Sequence, residues 1–178
     1  MFLALEVITV FLVAITMSLA LAHALEFPGK MRLDAETYMA VQTIYYPGFT
    51  LGGIGEPLAA IATLLLLIAV RDRGVAFWWI LAALVALVAT HLVFWFVTQP
   101  TNKFWLRNQK MNRAGATFFN VAQSESGPTE VGKVHSAKLP ENVNPDWKLF
   151  RDRWEYSHVI RAALSAMALI ALIIAVAM

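Results

Sequence analysis

Four long apolar stretches alternate with polar connections of very unequal length along this chain. About 20 apolar residues cross the ~30 Å hydrocarbon core of a bilayer. By that measure, spanning helices are predicted over about residues 1–25, 47–70, 75–98 and 147–178, the last starting with a polar stretch outside the membrane. Arg71-Asp72-Arg73-Gly74 leaves room only for a tight turn, so the second and third helices form an antiparallel hairpin. Residues 27–46 hold a Pro28-Gly29 turn and then Asp34, a residue type that caps helices. In the short helix that follows, Tyr38, Val41 and Tyr45 share a face, which predicts an amphipathic element lying on the membrane surface. Residues 99–146 read as a polar loop, long enough to be a lid, a binding element or a disordered segment. The expected fold class is therefore all-α: one integral membrane domain over residues 1–178, a four-helix bundle with a short interfacial helix and one long polar loop.

Composition agrees. The 178 residues are 59% hydrophobic and 15% charged, with mean hydropathy +0.62. Soluble domains average roughly 45–50% apolar and about 25% charged, so lipid is the main solvent here. The first apolar stretch ends in Ala20-Leu21-Ala22, like a signal-peptide cleavage site. It lacks a preceding basic residue, carries Glu6 and exceeds a typical signal core, so an uncleaved helix is expected. The absence of Cys excludes disulfides, thiolate ligands and a cysteine nucleophile. A net charge of +2 gives no reason to expect a nucleic-acid partner.

Alternating helices put both termini and the 71–74 turn on one side, with two basic residues, Arg71 and Arg73. The other side carries the remaining twelve of the fourteen Lys and Arg. The positive-inside rule then predicts a cytoplasmic long loop and both termini outside.

Ionisable groups inside spanning segments are costly and mark function by default. Here they are His23, Glu26, Glu56, His91, Glu155, His158 and Arg161, and the alternating helix directions bring all of them to the loop-bearing end. Thr9, Thr16 and His23 fall on one stripe of the first helix. His91, Trp95 and Thr98 line up on the third, and Trp154, His158, Arg161 and Ser165 on the fourth. A polar pocket below the loop is the expectation. Within Gly52-Gly53-Ile54-Gly55-Glu56-Pro57, the glycines permit close backbone approach and Pro57 is expected to free the carbonyl of Gly53. The plain reading of the glycines is helix packing.

Two pairs have ligand-like spacing. His23-Ala24-Leu25-Glu26 and Glu155-Tyr156-Ser157-His158 each set an imidazole and a carboxylate on one helical face. Di-iron carboxylate bundles need two Glu-x-x-His motifs and two further Glu, so the match is partial. One metal held by His23, Glu26, His91 and Glu155, a haem clamped by two histidines, or no cofactor at all are the open readings. The plain alternatives are that Glu155 pairs with Arg151 or Arg153, and that Arg161 neutralises Glu56 or Glu26. His135, in the loop, reads as solvated.

Pro100-Thr101-Asn102-Lys103, then Trp147, then Arg153-Trp154-Glu155-Tyr156-Ser157-His158-Val159-Ile160-Arg161 resemble a family of small four-helix membrane proteins. That family includes the fungal anthrone oxygenases of polyketide pathways and many bacterial members. His23-Ala24-Leu25-Glu26-Phe27-Pro28-Gly29-Lys30 also looks like the bacterial members, which makes a bacterial inner membrane the expected location. The resemblance implies oxidation of an anthrone to an anthraquinone by dioxygen. Asn102, His158 and Arg161 are the positions it would carry over, His158 as base and Arg161 as the group stabilising the enolate oxygen.

Three functions compete. The first is an oxygenase or oxidoreductase acting on a hydrophobic aromatic small molecule that enters from lipid, with Trp95, Trp105, Trp154, Tyr45, Tyr46 and Glu56 near the substrate. It predicts a cavity at the loop end. The second is a metal- or haem-binding redox module of a larger complex. The third is a non-catalytic accessory subunit whose polar cluster saturates itself; homo-oligomers are open to all three. A carrier is disfavoured by the absence of an inverted repeat.

Overall fold

The computed structural model describes residues 2–45, 48–106 and 146–178. Most of the expected loop (107–145, with His135) and Tyr46 and Pro47 lie outside the described residues. Helix α1 is Phe2–Lys30, α2 Ala35–Gln42, α3 Gly48–Gly52, α4 Gly55–Ala69, α5 Val75–Val93, α6 Gln99–Leu106 and α7 Trp147–Val176. A 3-10 turn, Thr43–Tyr45, follows α2, and a π-helical turn, Phe94–Thr98, joins α5 to α6. The described residues are helical without strands, and four segments are long and apolar enough to cross a membrane: Phe2–Lys30, Gly48–Ala69, Val75–Asn102 and Trp147–Val176.

Three boundaries differ from expectation, and proline accounts for each. The expected Pro28-Gly29 turn is the last turn of α1. Pro28 removes only the bond to the Ala24 carbonyl, and Met31 N–H still donates to the Phe27 carbonyl at 3.1 Å. Pro57 was expected to free the Gly53 carbonyl. That oxygen instead accepts from Glu56 N–H at 3.1 Å, because the chain breaks between α3 and α4 and tightens there. At the same break Gly52 passes so near α1 that a Cβ would stand 2.9 Å from Leu19 Cδ1.

Pro100 gives the third. The third spanning helix was expected to stop at 98, yet helix continues to Leu106. Pro100 has no N–H for the Phe96 carbonyl, and the chain widens into the π turn just before it. Arg153 Nη2 donates to that freed carbonyl at 3.1 Å. The first eight residues of the expected loop are thus α6.

Asp34 caps α2 as expected, its Oδ1 accepting from Thr37 N–H at 2.8 Å. The aromatic face of α2, however, turns into the protein rather than onto the membrane surface. Tyr38 and Tyr45 are buried with Trp105 and Trp154 in one cluster, because the Tyr38 hydroxyl has a carboxylate partner on α7.

The spanning helices close a ring: α1 packs on α4 and α7, and α5 packs on the same two. Gly74, at φ 56°, turns the α4–α5 hairpin in a backbone conformation that side chains disfavour. Small residues at the contacts (Ala59, Ala83, Ala168, Ala171) let the helices approach, with Val13, Leu66, Leu87 and Leu172 filling the space between. Buried hydroxyls bond back to their own helices, as Thr9 does to the Leu5 carbonyl and Thr63 to the Ala59 carbonyl, both at 2.7 Å. Leu3, Phe11, Ile61, Ile68, Val85 and Ile170 face outward, as lipid requires. Ala168→Leu is expected to overpack the ring and cost about 1–3 kcal/mol. Thermal unfolding in detergent checks this, with exposed Met167→Leu as the neutral control.

Candidate functional site

The expected convergence of polar groups at one end of the bundle is what the fold builds. Thr9, Val13, Thr16, Ala20, His23 and Lys30 form the buried stripe of α1. Trp154, Glu155, Ser157, His158, Arg161 and Ser165 form that of α7. Two linked polar groupings result, separated by a pair of histidines.

The deeper grouping centres on Arg161. Its Nη2 donates to Glu56 Oε1, joining α7 to α4, and both side chains are almost wholly buried. The His91 Nδ1 atom of α5 stands 4.0 Å from the other Glu56 oxygen, and the Phe94 ring lies 5.1 Å from the guanidinium. Of the alternatives for Arg161, the structure selects Glu56.

The outer grouping centres on Lys30. Its Nζ lies 2.9 Å from Glu26 Oε2 and 3.6 Å from Glu155 Oε1. It also sits 4.5 Å from the centre of the Tyr45 ring and 4.8 Å from that of Trp154. The Tyr38 hydroxyl donates to Glu155 Oε1 at 2.8 Å, and the Tyr45 hydroxyl donates to Glu26. Glu155 has 0% exposure and pairs with Lys30 and Tyr38 rather than with Arg151 or Arg153. Burial first, and then the Glu155 charge, push the Tyr38 phenol well up. Burial and the hydrogen bond to Glu26 do the same for Tyr45. Both therefore remain donors at any physiological pH.

His23 and His158 sit between the groupings with ring centroids 4.2 Å apart, tilted 43°. Trp154 packs against both, 5.0 Å from His23 and 4.2 Å from His158. Tyr45 and Phe49 close the aromatic box on the His23 side, at 4.5 and 4.4 Å. Arg161 Nη1 donates to His158 Nδ1 at 3.3 Å, a direction fixed by chemistry because guanidinium has no acceptor. Among the described residues, His23 Nδ1, His158 Nε2, Arg161 Nε and Glu155 Oε2 are buried without a hydrogen-bond partner. Each such orphan costs about 1–3 kcal/mol. Four from neighbouring residues are a strong sign of a ligand or ordered water.

The remaining expected residues divide. Asn102 is spoken for: its Oδ1 accepts from Trp154 Nε1 at 2.8 Å and its amide donates to Gln99 at 3.2 Å, so it holds the indole in place. Trp95 is 51% exposed and does not join the inward face of its helix. The π turn shifts the register after His91, and Phe94 takes the position beside Arg161. Trp105 packs on Tyr38, ring centroids 5.0 Å apart. The four expected metal ligands are not one set: His91 keeps company with Glu56, while His23, Glu26 and Glu155 gather around Lys30. No group of three or more His, Asp or Glu side chains among the described residues is placed to hold a metal ion. Nor does a haem fit between His23 and His158, whose contact leaves no space for a porphyrin. A cavity was expected at the loop end, but the one described, of about 300 Å³, opens at the opposite end, by Phe2, Glu6, Arg73, Ile80 and Met178.

Lys30 and Tyr38 are the members of this cluster that sequence reasoning missed. Lys30 had a signal, being the next member of the seven-residue series Thr9, Thr16, His23; reading Pro28-Gly29 as a turn cut the series short.

Among the described residues four segments are long and apolar enough to span a membrane, and a buried, aromatic-lined cluster of paired charges lies at one end. The family model described as anthrone oxygenase matches residues 47–171, more than two thirds of the chain. The chain belongs to the anthrone oxygenase family, which supports an oxygenase-like function in general terms. No curated protein and no solved structure matches it. Glu56, Asn102, Trp154, His158 and Arg161 fall inside the matched residues; His23, Glu26, Lys30, Tyr38 and Tyr45 precede them.

Breaking the deep ion pair on one side is expected to cost on the order of 3–5 kcal/mol, because the surviving charge is stranded. Glu56→Leu and Arg161→Met should each destabilise by that order, and the double variant by much less than their sum. Unfolding of all four proteins in the same detergent measures the coupling.

Proposed function

We propose that this protein is a membrane-embedded oxygenase that acts on a flat, hydrophobic aromatic ketone of the anthrone kind, taken up from the bilayer. The observation that carries the reading is the pair of orphaned buried imidazole nitrogens, His158 Nε2 and His23 Nδ1, beside Trp154. Aromatic side chains packed around the two histidines suit a flat ring system entering beside them, and an unpartnered N–H donor favours an oxygen that acquires negative charge.

The methylene carbon of an anthrone, across the central ring from the carbonyl, is acidic because its carbanion is conjugated with that carbonyl through the flanking rings. Removing its proton to a buried imidazole sends the C–H electron pair into the ring and onto the oxygen, giving an enolate. Arg161 and its neighbours hold that oxyanion in surroundings poor in water, where such contacts are strongest. Dioxygen is the oxidant: the enolate carbon bonds to it, the O–O bond then breaks, and a second carbonyl forms with release of water. One anthrone and one dioxygen yield one quinone and one water.

In this reading the loop end, to which the sequence assigns twelve of the fourteen Lys and Arg, faces the cytoplasm, and the membrane is a bacterial inner membrane. A second reading, a non-catalytic accessory subunit, is favoured by the mutual neutralisation of Glu56 with Arg161 and of Lys30 with Glu26 and Glu155. It leaves the orphaned atoms unexplained.

Oxygen uptake in lipid nanodiscs separates the two. The expected result is one dioxygen consumed per anthrone oxidised, well above the uncatalysed rate. The Glu56→Gln/Arg161→Met protein, which keeps charges balanced, is expected to lose roughly 10²–10³ in kcat. Uptake no faster than with empty nanodiscs contradicts the oxygenase reading.

A further inference from the structure

Two imidazoles in contact within one buried site are not equivalent here, and their hydrogen bonds tell them apart. Arg161 can only donate, so His158 Nδ1 must accept at 3.3 Å. A neutral imidazole with an accepting Nδ1 carries its hydrogen on Nε2. His158 Nε2 is therefore a donor, and it is buried without a partner. To act as a base, His158 would have to give up its Arg161 bond and hold a positive charge against the guanidinium.

His23 has the opposite surroundings. Its Nδ1 is buried without a partner, and the nearest carboxylate oxygen, Glu26 Oε2, is 3.9 Å away. Glu26 in turn accepts from the Tyr45 hydroxyl and pairs with Lys30, which fixes its position. Its side chain is 41% exposed, the one member of this grouping that opens outward to that degree. A proton arriving on His23 Nδ1 is therefore next to a carboxylate that stabilises the imidazolium and gives the proton a way out. The same residues suit this role sterically: the His23 ring touches Tyr45, Phe49 and Trp154 as well as His158, so it borders the aromatic box directly.

We propose that the two histidines divide the work: His23 Nδ1 takes the substrate's carbon-bound proton, and His158 Nε2, kept a donor by the Arg161 bond to Nδ1, donates to the developing oxyanion. The assignment rests on the oxygenase reading above, and His23 lies before residues 47–171, so the family match does not supply it. In the step itself one C–H bond breaks, its electron pair moves through the conjugated ring to the carbonyl oxygen, and one N–H bond forms on His23. Glu26 acts through His23 as a positioning residue.

Proton abstraction can be read without oxygen. Anaerobic nanodisc samples in D2O with anthrone report enzyme-catalysed exchange of the acidic C–H by mass spectrometry. The wild type is expected to accelerate exchange. His23→Ala is expected to lose on the order of 10²–10⁴ of that acceleration and to regain part of it with added imidazole. His158→Gln, which keeps an N–H donor, is expected to lose about tenfold or less, since the oxyanion donor is weakened rather than removed. Fast exchange by His23→Ala with loss in His158→Gln overturns the division. Wild-type protein that accelerates no exchange overturns the anthrone reading instead. A second measurement is independent of substrate: nitrogen NMR of 15N-histidine-labelled protein should show His158 with hydrogen on Nε2 only, and a tautomer mixture in Arg161→Gln. Hydrogen on His158 Nδ1 in the wild type overturns the division whatever the protein oxidises.

Discussion

A single buried ion pair, Arg161 with Glu56, organises the interior of this protein. Two opposite charges within a membrane-spanning bundle are tolerable only when they meet, and meeting ties α7 to α4 at a fixed depth. With that contact set, the other face of the guanidinium is aimed at His158, and His158 at His23 on α1. His91 completes the circuit by bringing α5 to the far side of Glu56. All four spanning helices thus contribute to one polar site, and the small apolar residues that pack the opposite half allow the approach.

The π turn and Pro100 do comparable work on the third helix. Without the extra residue in that turn, Trp95 would continue the face begun by His91; with it, Phe94 meets Arg161 and Trp95 faces out. The freed Phe96 carbonyl recruits Arg153, while Thr98 and Ser157 share a hydrogen bond of 2.9 Å. Asn102, carried beyond the proline on α6, reaches the Trp154 indole. The residues carrying the family resemblance are therefore largely a brace that presents Trp154, His158 and Arg161 to the same space.

Much of this was legible in the sequence, for reasons that can be stated. Length and apolar content dictate spanning helices, and alternating direction alone places His23, Glu56, His91, His158 and Arg161 at one end. Periodicity identified the buried faces of α1 and α7. It failed where proline departs from its usual reading: Pro28 sits inside a helix, hiding Lys30, and Pro100 sits inside another, turning Trp95 away. It also failed at α2, where Tyr38 looked like a membrane-surface residue because its partner, Glu155, is 117 positions away. Which carboxylate each cation would choose depends on tertiary geometry, which no local pattern encodes.

In the proposed function, the unpartnered His158 Nε2 between the two polar groupings receives the oxygen of a flat aromatic ligand. An experimental structure of the protein in lipid, solved with the quinone product bound, tests it most directly. The account predicts a ring system against Trp154 and Tyr45 with one carbonyl oxygen in hydrogen-bond range of His158 Nε2. A quinone seated instead in the cavity beside Phe2 and Arg73, with the histidine site closed on itself, would contradict it.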